Sequence, residues 1–70
     1  MSALDQHLLA AHEAGDHMAL VGLYTLAADA AHDLEASCFY LTHAYIFALE
    51  QNHPDAETLR GRLARQGREE

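Results

Sequence analysis

The side chains able to do chemistry in this 70-residue chain are six histidines, one cysteine, three tyrosines and eleven carboxylates. Metal binding or acid-base catalysis would need several of them to converge. Two metal ligands on one helix face stand three or four residues apart. His7, His12 and His17 are five apart, so each is turned about 140° from the last. His12 and Asp16 form an i, i+4 pair interrupted by Gly15, which reads as a solvated histidine near a helix end. Cys38 and His43, also five apart, cannot hold the hydrogen bond that makes a thiolate nucleophile. Cys38 reads instead as a small core residue. No phosphate-cradling glycine loop, GxSxG turn or segregated carboxylate pair occurs. The chain is therefore expected to have no catalytic residues, no metal ligands and no cofactor.

His43 stands apart from the other imidazoles because it shares a helical face with Phe39, Tyr40 and Phe47. An unpaired polar group there would cost about 1–3 kcal/mol. His43 is accordingly expected to be at least half buried and hydrogen-bonded, with a carboxylate or tyrosine hydroxyl of another helix as its natural partner. An alternative use of the same residues is a small-ligand or metal site, with His43, Tyr40 and Tyr24 around an interhelical cavity.

Composition restricts the setting. Half of the residues are hydrophobic, 21% are charged and 7% are aromatic, with no Trp, which describes one globular domain, residues 1–70, with a shallow core. A domain of this size is marginal unless stapled by disulfides, a metal or a second copy. Cys38 is the only cysteine and cannot staple the chain. Residues 1–59 hold nine acids and no Lys or Arg, and all four basic residues, Arg60, Arg62, Arg65 and Arg68, fall at the C-terminal end. Such an acidic body repels phosphate backbones and anionic lipid, so neither nucleic acid nor a membrane is expected as partner. The arginines suit the C-terminal end of a helix. No apolar run approaches the roughly 18 residues that span a bilayer, and no signal-type N-terminus is visible, so a cytoplasmic location is expected.

Four helices are predicted, at about residues 3–14, 17–31, 34–51 and 55–66, giving an all-α fold. Ser2 and Asp5 have capping-box spacing, and Gly15 suits a left-handed stop. Asp16 and Asp33 cap the second and third helices. Asn52-His53-Pro54 ends the third, and Gly67 marks the exit of the fourth. The third helix is apolar on two sides: Leu34, Cys38, Leu41, Tyr45 and Leu49 form one stripe, and Ala36, Phe39, Tyr40, His43 and Phe47 the other. In the second helix Leu20, Leu23, Tyr24, Ala27 and Ala31 form the principal face, and Gly22 is expected to admit a neighbouring backbone.

Shifting the chain by 37 residues pairs Leu4 with Leu41, Ala11 with Ala48, Glu13 with Glu50, Ala19 with Ala56, Leu26 with Leu63 and Ala27 with Ala64. The same shift lays the Gly15-Asp16 break on Asn52-His53, as two helix-turn-helix units would. Within this frame, Asp33-Leu34-Glu35-Ala36 is followed by Phe39-Tyr40, then Ala48-Leu49-Glu50 and Pro54, with Leu20 and Leu23 on the preceding helix. Over roughly residues 17 to 54 the pattern resembles the tetratricopeptide repeat and its Sel-like solenoid relatives. The resemblance implies four antiparallel helices, in a right-handed array or small bundle, that bind other proteins without catalysis. Solenoid arrays usually need three or more repeats to bury their faces, and this chain has about two. The stripe of the third helix with Phe39, Tyr40 and Phe47 is thus left over, and a homodimer through that helix is expected; the alternative is that the first and fourth helices fold over it within one chain, through Leu4, Leu8 and Ala11 and through Leu59 and Leu63. The partner-binding residues are expected to be Tyr24, Phe39, Tyr40, His43 and Phe47, facing another protein or a second copy.

Overall fold

A computed structural model describes residues 2–67, and among them the chain forms four α-helices and no strand. They are α1 (Ala3–Ala14), α2 (His17–Ala30), α3 (Leu34–Glu50) and α4 (Ala56–Arg65). Arg68, grouped with the other arginines on sequence, lies outside the described residues.

Local chemistry sets each boundary. Ser2 Oγ accepts the Asp5 N–H at 3.1 Å and opens α1. Gly15, at φ 68°, closes it, in a left-handed conformation that costs glycine little. Asp16 Oδ1 accepts the Ala19 N–H at 3.2 Å, and Asp33 Oδ1 accepts the Ala36 N–H at 2.7 Å. Helix α2 stops at Ala30, one residue short of expectation, because Ala31 is extended (φ −66°, ψ 143°). After α3, Asn52 turns to φ 53° and the His53 N–H reaches back to the Ala48 carbonyl at 2.8 Å, which ends the helix ahead of Pro54. Pro54 and Asp55 form a turn outside α4, which therefore starts at Ala56. There Arg60 bonds both Glu57 oxygens, Nε to Oε1 at 3.0 Å and Nη2 to Oε2 at 2.9 Å. That hydrogen bonding, reinforced by the guanidinium charge, holds the Glu57 carboxyl below the usual carboxylate range.

The helices form a small all-α bundle in which backbones approach only between consecutive helices, most extensively between α2 and α3. The Cα trace is correspondingly flat, 31 × 29 × 12 Å. The core joins Val21 and Ala28 of α2, Leu41, Ala44 and Ala48 of α3, and Leu59 and Leu63 of α4. Alanines at 28, 44 and 48 keep the central pair close, which explains how a chain poor in large side chains builds a buried core. Ala11 of α1 and Leu20 and Ala27 of α2 are also buried, outside that cluster. Arg62 Nη2 reaches Asp29 Oδ1 at 2.7 Å and ties α4 to α2. Both side chains are partly exposed, so the pair contributes less than about 1 kcal/mol.

The packing corrects two sequence expectations. Leu34 and Leu49, expected on one apolar stripe with Cys38, Leu41 and Tyr45, are 52% and 55% exposed, because the buried side of α3 is centred on Leu41, Ala44 and Ala48. Gly22 admits no backbone within the chain, since a Cβ placed there would meet nothing within 4 Å.

Candidate interaction surface

The backbones of α1 and α3 do not approach each other, and aromatic rings fill the space between them. Tyr24 of α2 is the hub. Its ring stands 5.1 Å from His43, 5.9 Å from Phe47 and 6.2 Å from Tyr40, all in stacked arrangements. Its hydroxyl meets His12 Nε2 of α1 at 2.9 Å. His12 is therefore not a merely solvated imidazole, and it also lies edge-on to Phe47 at 6.1 Å. His17 packs on Phe47 at 5.2 Å, and Phe39 on His43 at 4.5 Å. Such pairs add about 0.5–1.5 kcal/mol each beyond the area they bury.

His43 is half-buried and hydrogen-bonded, but its partner differs from the one expected. Nδ1 lies 2.9 Å from the Phe39 carbonyl, one turn back on its own helix. The i−4 carbonyl is the nearest acceptor, and the Tyr24 hydroxyl is engaged by His12. Among the described residues, no group of three or more His, Cys, Asp or Glu is placed to hold a metal ion. Cys38 is buried, as a core residue should be.

Of the five residues expected to face a partner, the structure thus brings Tyr24, Tyr40, His43 and Phe47 together as a half-buried cluster. Phe39 sits at its edge, 59% exposed. It also begins a second row. Phe39, Thr42, Ile46 and Leu49 follow each other at intervals of three, four and three residues, the spacing of a coiled-coil seam. Ile46 is 48% exposed and Leu49 55%, and Thr42 is exposed with its hydroxyl donating to the Cys38 carbonyl at 2.8 Å. Glu35 and Glu50 flank the row near its two ends. Ile46 escaped the sequence reading because the two stripes drawn along α3 bracket the wedge it occupies. The 39, 42, 46, 49 interval was the signal that could have revealed it.

The structure defines a small all-α helical bundle with an aromatic seam between α1 and α3 and an uncovered apolar face on its longest helix. No protein-family model, curated protein or solved structure matches the chain. No described helix is long and apolar enough to cross a membrane.

Proposed function

We propose that this chain is a non-enzymatic helical protein–protein interaction module that self-associates as a homodimer through the outer face of α3. The observation that carries the reading is the row Phe39, Ile46 and Leu49, three large apolar side chains each about half exposed at coiled-coil spacing on one helix. Tyr24, Tyr40, His43 and Phe47 border that row and stiffen the helix that bears it. The hairpin order of the helices is consistent with the short tetratricopeptide-like unit that the sequence resembles, and a lone buried thiol suits a reducing, cytoplasmic setting.

The row has the geometry for a two-fold pair. With the helices antiparallel about a point level with Ala44, Phe39 faces the partner's Leu49 and Thr42 the partner's Ile46, and Glu35 lies within about one helical turn of the partner's Glu50. Helix α3 has 17 residues and is about 25 Å long. A single helix pair of that length belongs with interfaces below about 1,200 Å², which associate reversibly. The glutamates at both ends repel, so added salt strengthens the pair by screening them. Amide shifts recorded along a dilution series test the reading. Concentration-dependent shifts should centre on Phe39, Thr42, Ile46 and Leu49, and shifts absent from α3 would reject it.

A further inference from the structure

A second apolar surface lies on the other side of the α2–α3 contact. Here α1 and α2 enclose an open cleft of about 810 Å³, lined by Ala10 and Ala14 of α1 and by Ala19, Gly22, Leu23 and Leu26 of α2. Leu26 is 58% exposed, so the cleft wall includes a large apolar side chain that the chain itself leaves mostly uncovered. Gly22 lies in its lining with nothing within 4 Å of the position a Cβ would take. A glycine inside a helix costs about 1 kcal/mol relative to alanine, and neither a positive φ nor a close approach within the chain explains it here.

The polar members of the lining give the cleft a sign. Asp16 and Asp55 both contribute to it, and the ring contact between His17 and Phe47 shows that the start of α2 and the end of α3, which leads to Asp55, share one end of the molecule. The Asp16 carboxylate spends Oδ1 on the Ala19 N–H, while Asp55 makes no side-chain capping bond and lies 3.9 Å from His53 Nδ1. His7 and Thr25 are the other polar groups in the lining, and neither Lys nor Arg is present. The cations of a second copy are confined to its C-terminal arginines, of which Arg60 is paired with Glu57 and Arg62 with Asp29, so its acidic body would bring carboxylates to carboxylates.

We infer that this cleft docks an amphipathic helical segment of a partner protein, about three turns long, whose apolar stripe lies over Gly22, Leu23 and Leu26 and whose Lys or Arg residues meet Asp16 and Asp55. The length follows from the ten-residue separation of Asp16 and Leu26, about 15 Å of helix. Charge complementarity selects the cationic partner and rejects an acidic one. With α3 occupied by a second copy, the two surfaces together make the chain an adaptor; the cleft stands independently of that pairing.

The test uses the full chain and two synthetic helical peptides of about 14 residues, identical in their Leu and Ala stripe, one carrying Lys and the other Glu at the polar positions. The Lys peptide should bind in fluorescence anisotropy with a dissociation constant on the order of 10–100 µM and shift the amides of Ala14, Ala19, Gly22 and Leu26. Binding should weaken as salt is added, opposite to the trend expected for self-association. Asp16→Asn with Asp55→Asn, which keeps a capping side chain at 16, should weaken it about tenfold. Gly22→Leu places a better helix former in α2, so it should fold at least as stably as the parent, keep any self-association, and lose the peptide. No binding of the Lys peptide, equal binding of the Glu peptide, or undiminished binding by Gly22→Leu would each overturn the inference without touching the α3 face.

Discussion

Removing only the hydroxyl of Tyr24 separates two roles that the structure gives that residue. Tyr24→Phe deletes the 2.9 Å bond to His12 Nε2 and leaves the ring among Tyr40, His43 and Phe47. The bond is exposed, so water replaces the lost partner and the cost is about 0.5–1 kcal/mol. In a domain of this length that lowers Tm by about 2–8 °C. Tyr24→Ala also removes the three stacked neighbours and part of the apolar surface between α1 and α3. At about 0.5–1.5 kcal/mol per aromatic pair, the total with the hydroxyl reaches about 2–5 kcal/mol. Total stability for this length is on the order of 5 kcal/mol, so the alanine variant should melt at least about 10 °C lower. Thermal and urea unfolding followed by circular dichroism, with a Tyr24→Phe and His12→Ala cycle, measures both; the cycle should return a coupling of about 0.5 kcal/mol. If Tyr24→Phe costs as much as Tyr24→Ala, the stacking carries nothing and the seam reasoning is wrong.

Other perturbations divide between core and surface. Leu41→Ala, at a fully buried position in the centre of α3, should cost about 2.7–5 kcal/mol in urea unfolding, enough to unfold much of the protein at 37 °C. Ile46→Glu should leave the monomer within about 0.5 kcal/mol of the parent. The same change should weaken self-association at least about thirtyfold, because each of two copies loses the burial of half an isoleucine, about 1 kcal/mol apiece; size-exclusion chromatography across a concentration series reads it. For Glu57, a carboxyl held below the usual range stabilises above that range, and the effect is lost as pH falls through the lowered value. Glu57→Gln should therefore lower Tm slightly at neutral pH and match the parent in acid, which melting curves across pH would show.

The fold was legible in the sequence because its punctuation is local. Ser2, Asp16 and Asp33 each accept the capping N–H that their position forecast, and Gly15 takes the left-handed turn. The one-residue differences at Ala31 and Asp55 come from backbone torsions that the sequence does not encode separately. The site was less legible. Helical periodicity told which residues of α3 share a face, and Tyr24, Tyr40, His43 and Phe47 do meet. Periodicity could not tell which face the small residues Ala44 and Ala48 would draw against α2, because alanine signals close approach only once the neighbouring helix is placed. That choice leaves Leu34 and Leu49 exposed and brings Ile46 to the surface. His43 illustrates the same limit, since the nearest acceptor was a carbonyl of its own helix, which no side-chain pattern marks.

Sedimentation equilibrium of the unmodified chain tests the self-association reading most directly. Between about 10 µM and 1 mM, a range that brackets weak reversible association, the weight-average mass should rise from that of one chain toward twice that value. The rise should begin at lower concentration when salt is added, because the Glu35 and Glu50 repulsion is screened. A mass of one chain throughout that range, at low and high salt alike, would contradict the account.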